Sequence, residues 1–293
     1  MKITKILENK KKPIFSFELF PAKSEKAEIK LQKVIEKLAA MKPDFVSVTF
    51  GAGGSTREGS FQLLKKLIQE KDLEVVGYFA GYGLGPKKID KGLDSYRELG
   101  GDNRLIVRGD VPHLQEDFIP DPDSFPYATD LLAYIRPKYD FCIGVAAYPE
   151  GHIEAQSLKK DMEYLKMKVD LGADYIVTNY CYDNQFYFDF VSESENLGID
   201  LLTLPGVMPI YSIKMMESLA KLCGATITGE IEDGLAKIPE GDKATLSKFG
   251  IDFATKQSRG LIEGGARGIH LYTMDRSKAS MAIVSKLKEE NYL

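Results

Sequence analysis

A glutamate in the middle of an apolar run is the first residue of this chain that asks for chemistry. Glu18 sits in FSFELFP (Phe15 to Pro21), where alternation places Phe15, Phe17 and Leu19 on one face and Ser16, Glu18 and Phe20 on the other. A carboxylate in such surroundings is costly to desolvate, so its pKa is driven upward. It can then hold a proton near neutrality and act as a general acid. The alternative is a structural glutamate held by hydrogen bonds or an ion pair. Asp110 ends RLIVRGD (Arg104 to Asp110), with Arg108 two residues earlier and expected on the same face. That pair is either a structural ion pair or a charged contact to a ligand. In the second case the aspartate accepts a hydrogen bond from a substrate amide or adds negative potential beside a cofactor.

Other polar groups gather at the ends of apolar segments. Thr49 offers a hydroxyl to a ligand or merely fills a strand, and Gly51 to Gly54 admit close backbone approach before a helix capped by Ser55 or Thr56. Tyr148 and His152 in AAYPEGH form a further pair, and His152 reads equally as ligand contact or structural residue. Asp161, Tyr164 and Lys168 share one helix side, which either reaches a cofactor tail or is solvated. Asn179 and Tyr180, followed by Cys181, Tyr182 and Asp183, offer amide, aromatic and hydroxyl groups that suit a flat heteroaromatic ligand. Three scattered histidines make no zinc motif. The three cysteines, Cys142, Cys181 and Cys223, form no CxxC pair, so neither a disulfide framework nor a metal cluster is expected. Each reads as core filler, with an active-site thiol at Cys181 as the alternative.

These residues need a frame. Eight short segments rich in Val, Ile, Phe and Tyr recur: Phe15 to Phe20, Phe45 to Phe50, Leu73 to Ala80, Arg104 to Asp110, Phe141 to Tyr148, Asp174 to Tyr180, Leu201 to Met208 and Gly268 to Met274. Helical stripes lie between them, as in Ala27, Leu31, Val34, Ile35 and Leu38, or Leu158, Met162, Leu165 and Val169. Two passages, near 112–126 and 224–243, are too rich in Pro, Gly and charge for regular structure. A helix is expected over 244–261. Eight strand–helix units in 293 residues predict an α/β fold, a single-domain (β/α)8 TIM barrel over 1–293. A doubly wound sheet is the runner-up, but GAGGST and GYGLG both miss the GxGxxG spacing.

Composition narrows the function class. Lys plus Arg number 39 against 43 Asp plus Glu, for a net charge of -4, which disfavours a large nucleic-acid footprint. No apolar run approaches the roughly 20 residues of a membrane-spanning helix. The opening MKITKILENKKKPIF has no apolar signal segment, so a cytoplasmic location is expected.

Over nearly its full length the chain resembles the methylenetetrahydrofolate reductase family. The resemblance rests on FELFP (Phe17 to Pro21), FVSVTFGAGGST (Phe45 to Thr56), VRGD (Val107 to Asp110), YATDL (Tyr127 to Leu131) and VAAYPEGHIEA (Val145 to Ala155). It continues through KVDLGADYIVTN (Lys168 to Asn179), LPGVMPI (Leu204 to Ile210) and IHLYTMDR (Ile269 to Arg276). Several such motifs in one order are far more specific than any single one. The length resembles the bacterial catalytic-barrel form without a regulatory extension. The resemblance implies a (β/α)8 barrel carrying non-covalent FAD that is reduced by NAD(P)H or by a partner protein. The reduced flavin then converts 5,10-methylenetetrahydrofolate to 5-methyltetrahydrofolate in one-carbon metabolism and methionine biosynthesis.

Residue by residue, it implies Glu18 as the general acid and Asp110 as the group that meets the pterin and modulates the flavin. It places Thr49, Tyr78, Arg108, Ala128, Ala146, Tyr148, His152, Asp161, Tyr164 and Lys168 at the cofactor. Glu18, Asp110, Asn179 and Met215 fall at the substrate, and no metal is implied. The chain departs from the family pattern at Tyr78-Phe79-Ala80, where His-Leu-Thr is usual, and at Tyr164 and Met167, where Asn and Arg are usual. Asn179 and Met215 replace glutamines, and Leu219 an aromatic. An arginine lost at Met167 removes a bidentate phosphate donor from the FAD tail. Two other readings stand beside the reductase. One is a tetrahydrofolate-dependent methyltransferase or demethylase without flavin, working with a corrinoid partner protein. The other is a non-catalytic barrel subunit of a C1 complex. A homo-oligomer or a heteromeric complex is expected in either case.

Overall fold

The computed structural model describes residues 1–50, 55–70, 73–110 and 118–293, with the side chains of 55–57 excepted. Each of the eight apolar segments holds one strand: β1 (Ile14–Leu19), β2 (Phe45–Val48), β3 (Val75–Ala80), β4 (Asn103–Val107), β5 (Cys142–Ala147), β6 (Tyr175–Tyr180), β7 (Thr203–Val207) and β8 (Gly268–Tyr272). All pairs are parallel, and the strands close in chain order, with β8 returning to β1. The predicted TIM barrel is the fold.

The helices among the described residues are α1 (Ile3–Asn9), α2 (Glu25–Ala39), α3 (Ser55–Glu70), α4 (Pro86–Glu98), α5 (Ala128–Ile135), α6 (Leu158–Asp170), α7 (Asn184–Asn196), α8 (Ile213–Cys223), α9 (Gly229–Ala236), α10 (Lys243–Glu263) and α11 (Ser277–Glu289). None of them is long and apolar enough to cross a membrane. The expected stripe of α2 buries Leu31, Ile35 and Leu38 against the outward residues Phe15, Phe17 and Leu19 of β1. In α6 Met162 and Leu165 do the same, whereas Leu158, the first residue of that helix, is exposed.

Two elements depart from the sequence reading. The 224–243 passage is not irregular throughout, because it contains α9. There the Thr228 side chain accepts from the Ile231 amide, Glu230 and Glu232 sit in the first turn, and Ile231 is fully buried. A cap, favourable charge and one anchoring side chain outweigh the glycines. Of the 112–126 excursion, residues 112–117 lie outside the described residues, as do Gly51 to Gly54, and 118–126 contain neither helix nor strand.

The second departure, α1, precedes the first strand and seals the bottom of the barrel. Its Ile3 and Leu7 pack among the inward residues Ile14, Phe45, Val76, Leu105, Tyr175 and Leu204. Buried Asn103 pins it there: Oδ1 accepts from the Ile3 amide at 2.8 Å and Nδ2 donates to the Met1 carbonyl at 2.9 Å. Asn103→Ala strands a buried N–H and should cost about 1–3 kcal/mol. Urea titration reads this as a lower midpoint at constant slope, and an unchanged midpoint would show that α1 is held by packing alone.

Candidate active site

On β1, β2, β3 and β8 the inward positions at the upper end are polar (Glu18, Ser47, Tyr78 and Tyr272), in contrast to the apolar floor. Glu18, the penultimate residue of β1, is only 4% exposed and pairs in register with Ser47 of β2 and Tyr272 of β8. Tyr78 of β3 faces the same carboxyl, and its hydroxyl favours the ionised form of Glu18. Burial pushes Glu18 up to about 7; the Tyr78 hydrogen bond opposes this and the charge of Asp275 adds to it. Below lies His270, buried and held down to about 3 by desolvation, so its ring is neutral. Its Nδ1 meets Ser16 Oγ at 2.7 Å and its Nε2 meets Ser47 Oγ at 3.3 Å. A continuous polar column therefore runs from Ser16 through His270 and Ser47 to Tyr78 and Glu18. Its upper end presents a carboxyl that is half protonated near neutral pH.

A second wall rises over β4, β5 and α6. Alternation placed Arg108 and Asp110 together, but β4 stops at Val107 and Gly109 turns left-handed (φ 85°), so strand parity does not apply to them. Arg108 instead pairs with Glu154, Nη1 to Oε2 at 2.7 Å, and that bond raises its pKa. Asp110 is exposed on the rim. Tyr148 and His152 meet edge to face with centroids 4.6 Å apart, and burial pushes Tyr148 up to about 12. The His152 amide donates to Asp161 Oδ2 at 3.0 Å, and its ring Nδ1 accepts from the Glu154 amide at 3.1 Å. Lys168 Nζ donates to the Ala146 carbonyl at 2.6 Å. Burial brings that ammonium down to about 8, with Asp161 opposing, and it has no salt bridge among the described residues.

The remaining expected residues fall around this rim. Thr49 follows β2, its amide on the Leu19 carbonyl at 3.0 Å and its carbonyl accepting from Ser60 at 2.9 Å. Ala128 opens α5, half-buried. Asn179 spends its Oδ1 on the Tyr180 amide at 3.0 Å, and Met215 lies half-buried in the first turn of α8. Tyr164 and Met167 are 41% and 49% exposed, whereas Lys168 bonds to β5 and Asp161 to the loop that follows it. Burial pushes the Cys181 thiol up to about 12, which makes it core filler rather than a nucleophile. No cluster of three or more His, Cys, Asp or Glu among the described residues could hold a metal.

Sequence reasoning over individual residues did not single out Ser16's partner His270, nor Ser47, Tyr272, Thr273 or Asp275. The available signal was parity, since His270 and Tyr272 alternate with outward Ile269 and Leu271.

The family model described as methylenetetrahydrofolate reductase matches residues 2–288. The chain belongs to the methylenetetrahydrofolate reductase family. It is 31% identical over 275 residues to 5,10-methylenetetrahydrofolate reductase of Escherichia coli K12, covering 93% of this chain and 90% of that one. It is 36% identical over 284 residues to methylenetetrahydrofolate reductase (NADH) 1 of Arabidopsis thaliana. There it covers 93% of this chain but 48% of the plant protein, so it spans about half the length of such relatives. An uncharacterized Clostridium thermocellum protein that binds two copies of 5-methyl-5,6,7,8-tetrahydrofolic acid shares the fold, with a TM-score of 0.65 at 18% identity over 99% of both chains.

Membership of this reductase family raises the question of a flavin dinucleotide. The β4–β5–α6 wall suits a phosphorylated group: Lys168 has donors to spare, and Arg108 leans on a carboxylate that is itself 59% exposed and can be exchanged. The departure at Met167 removes nothing from this wall, because that side chain faces solvent.

Proposed function

We propose that this chain reduces 5,10-methylenetetrahydrofolate to 5-methyltetrahydrofolate, with Glu18 as the general acid. The observation that carries the reading is a buried carboxyl at the barrel mouth whose proton is retained up to about pH 7. The substrate's methylene carbon bridges two nitrogens, and opening the bridge leaves one of them as an amine. Glu18 donates its proton to that departing nitrogen while the carbon becomes an iminium on the other. The carboxylate left behind is stabilised by the Tyr78 hydroxyl, in a pocket that would otherwise penalise the charge. Asp110, on the rim, accepts hydrogen bonds from the pterin's amino and amide groups. Asn179 and Met215 border the same opening.

FAD, when bound, supplies the hydride that completes the methyl group. Lys168 and Arg108 would hold its phosphates, and Thr49, Ala128, Ala146, Tyr148, His152 and Asp161 would border it, whereas Tyr164 faces outward. NADH is the expected donor to it. An absorbance spectrum of the purified protein with anaerobic titration tests this reading. A flavin spectrum bleached by NADH and restored by methylenetetrahydrofolate is expected. A colourless protein that still binds folate would overturn the reductase in favour of methyl transfer.

Tyr78 enters this reading as the hydrogen-bond partner of the acid rather than as a cofactor ligand. Tyr78→Phe removes the bond that stabilises ionised Glu18, so the fall in turnover with rising pH should move up by about one unit. A profile identical to that of the wild type would remove Tyr78 from the mechanism.

A further inference from the structure

Where β8 hands over to α11, the chain makes a turn whose purpose is not helix capping. Arg276 precedes α11 without a side-chain cap. Met274 and Asp275 both take left-handed backbone, φ 48° and 52°, although neither is glycine, at a cost of about 1 kcal/mol or more each. Side-chain bonds hold the turn. Thr273 Oγ1 accepts from the Asp275 amide at 3.2 Å and donates to the Glu18 carbonyl at 2.5 Å. Asp275 Oδ1 accepts from the Phe20 amide at 3.0 Å. Thr273 and Asp275, two residues apart in this turn, thus grip the chain on either side of Leu19, at the Glu18 carbonyl and the Phe20 amide.

We propose that Asp275 is a positioning residue for the reduction: it clamps the backbone just beyond Glu18 and sets a second carboxylate beside it, so that Glu18 arrives at the substrate carrying its proton. The inference rests on the reading of Glu18 as the acid. Asp275 is half-buried, and its nearest sequence cation does not neutralise it, since the Arg276 guanidinium lies over the Tyr211 ring at 5.2 Å. The groups that face Glu18 are Tyr78 from β3, Ser47 from β2, and neutral His270 and Tyr272 from β8. Those that face Asp275 are the Phe20 amide, Tyr211 and Arg276. Among these described groups Asp275 is the anion that acts on Glu18. In a poorly solvated mouth one negative charge discourages a second, as in other paired carboxylates.

Asp275→Asn separates the two roles, because the amide oxygen still accepts from Phe20 and asparagine tolerates left-handed backbone. Asp275→Ala removes both. The Glu18 carboxyl is titrated by infrared difference spectroscopy on the full-length protein, with Glu18→Gln assigning the band, and thermal melts are recorded alongside. Asn is expected to keep the wild-type melting temperature and Ala to lower it. The Glu18 midpoint should drop by roughly one unit in Asn, which is about a fivefold loss of turnover near pH 7 and little change near pH 5. An unmoved midpoint in Asn makes Asp275 purely structural and overturns the proposal. A lowered midpoint without the matching change in the pH profile of turnover instead sinks the reading of Glu18 as the acid, and with it any role for Asp275 in the reduction.

Discussion

Glu18→Gln is expected to abolish folate reduction and, at alkaline pH, to make the barrel more stable. Glutamine keeps the shape and can still accept from Tyr78, but it has no proton to give. General acids contribute some 10²–10⁴-fold, so the rate of methyltetrahydrofolate formation should fall by about a thousandfold. Reduction of a bound flavin by NADH does not use this proton and should continue. The stability effect follows from linkage. Glu18 titrates at about 7 in the fold against 4.5 for an ordinary glutamate, because burial penalises its charged form. Below the lower value both states are protonated and nothing is lost. Above it the unfolded chain ionises first, and folding stability declines until the pH passes the folded value. The full loss is roughly 3 kcal/mol. Glutamine removes it, so the variant should melt higher than the wild type near pH 8 and at the same temperature near pH 4. A variant less stable near pH 8 would mean that Glu18 is a paired structural carboxylate.

Gly206→Ala should unfold the barrel or badly distort the β6–β8 side of its mouth. Gly206 is in β7 beside a register shift in β6, where Tyr180 pairs with it directly. A Cβ there would lie 2.4 Å from the Thr178 carbonyl oxygen and 2.5 Å from a ring carbon of Tyr272. The first of these is backbone in a closed barrel and cannot swing aside. The second belongs to the residue paired with Glu18, whose hydroxyl donates to that same Thr178 carbonyl at 2.9 Å. Overpacking usually costs about 1–3 kcal/mol, and this site should lie at or above the upper end. Gly229→Ala, at the start of α9 with open space around it, is the control and should leave the melting temperature unchanged. If Gly206→Ala melted with the control, the tight seam between β6 and β8 would not be real.

Glu18 was legible because a lone carboxylate interrupts an apolar alternation, and the eight strands because their segments are rich in Val, Ile, Phe and Tyr. Parity says that a residue points inward; it does not say which inward residue it meets. The interaction of Tyr78 with Glu18 crosses from the third strand to the first, and the contacts of His270 join the last strand to the first two. Such pairings are non-local and have no local sequence signature. Parity also fails where a strand ends sooner than its apolar segment. Arg108 and Asp110 sit past Val107 and a left-handed glycine, so the expected pair became Arg108 with Glu154. Composition misled in the other direction at α9, where one cap and Ile231 outweighed two glycines and a loop-like charge pattern.

The central claim is that a buried, protonated Glu18 opens the methylene bridge. Its most direct test is the pH dependence of a single turnover, in which pre-reduced protein is mixed with methylenetetrahydrofolate and the methyltetrahydrofolate formed is quantified after rapid quenching. The account predicts a rate that is level in mild acid, falls through a midpoint of about 7 as Glu18 ionises, and shows no such limb in Glu18→Gln. A rate that is flat across that range, or that rises with pH, would contradict it.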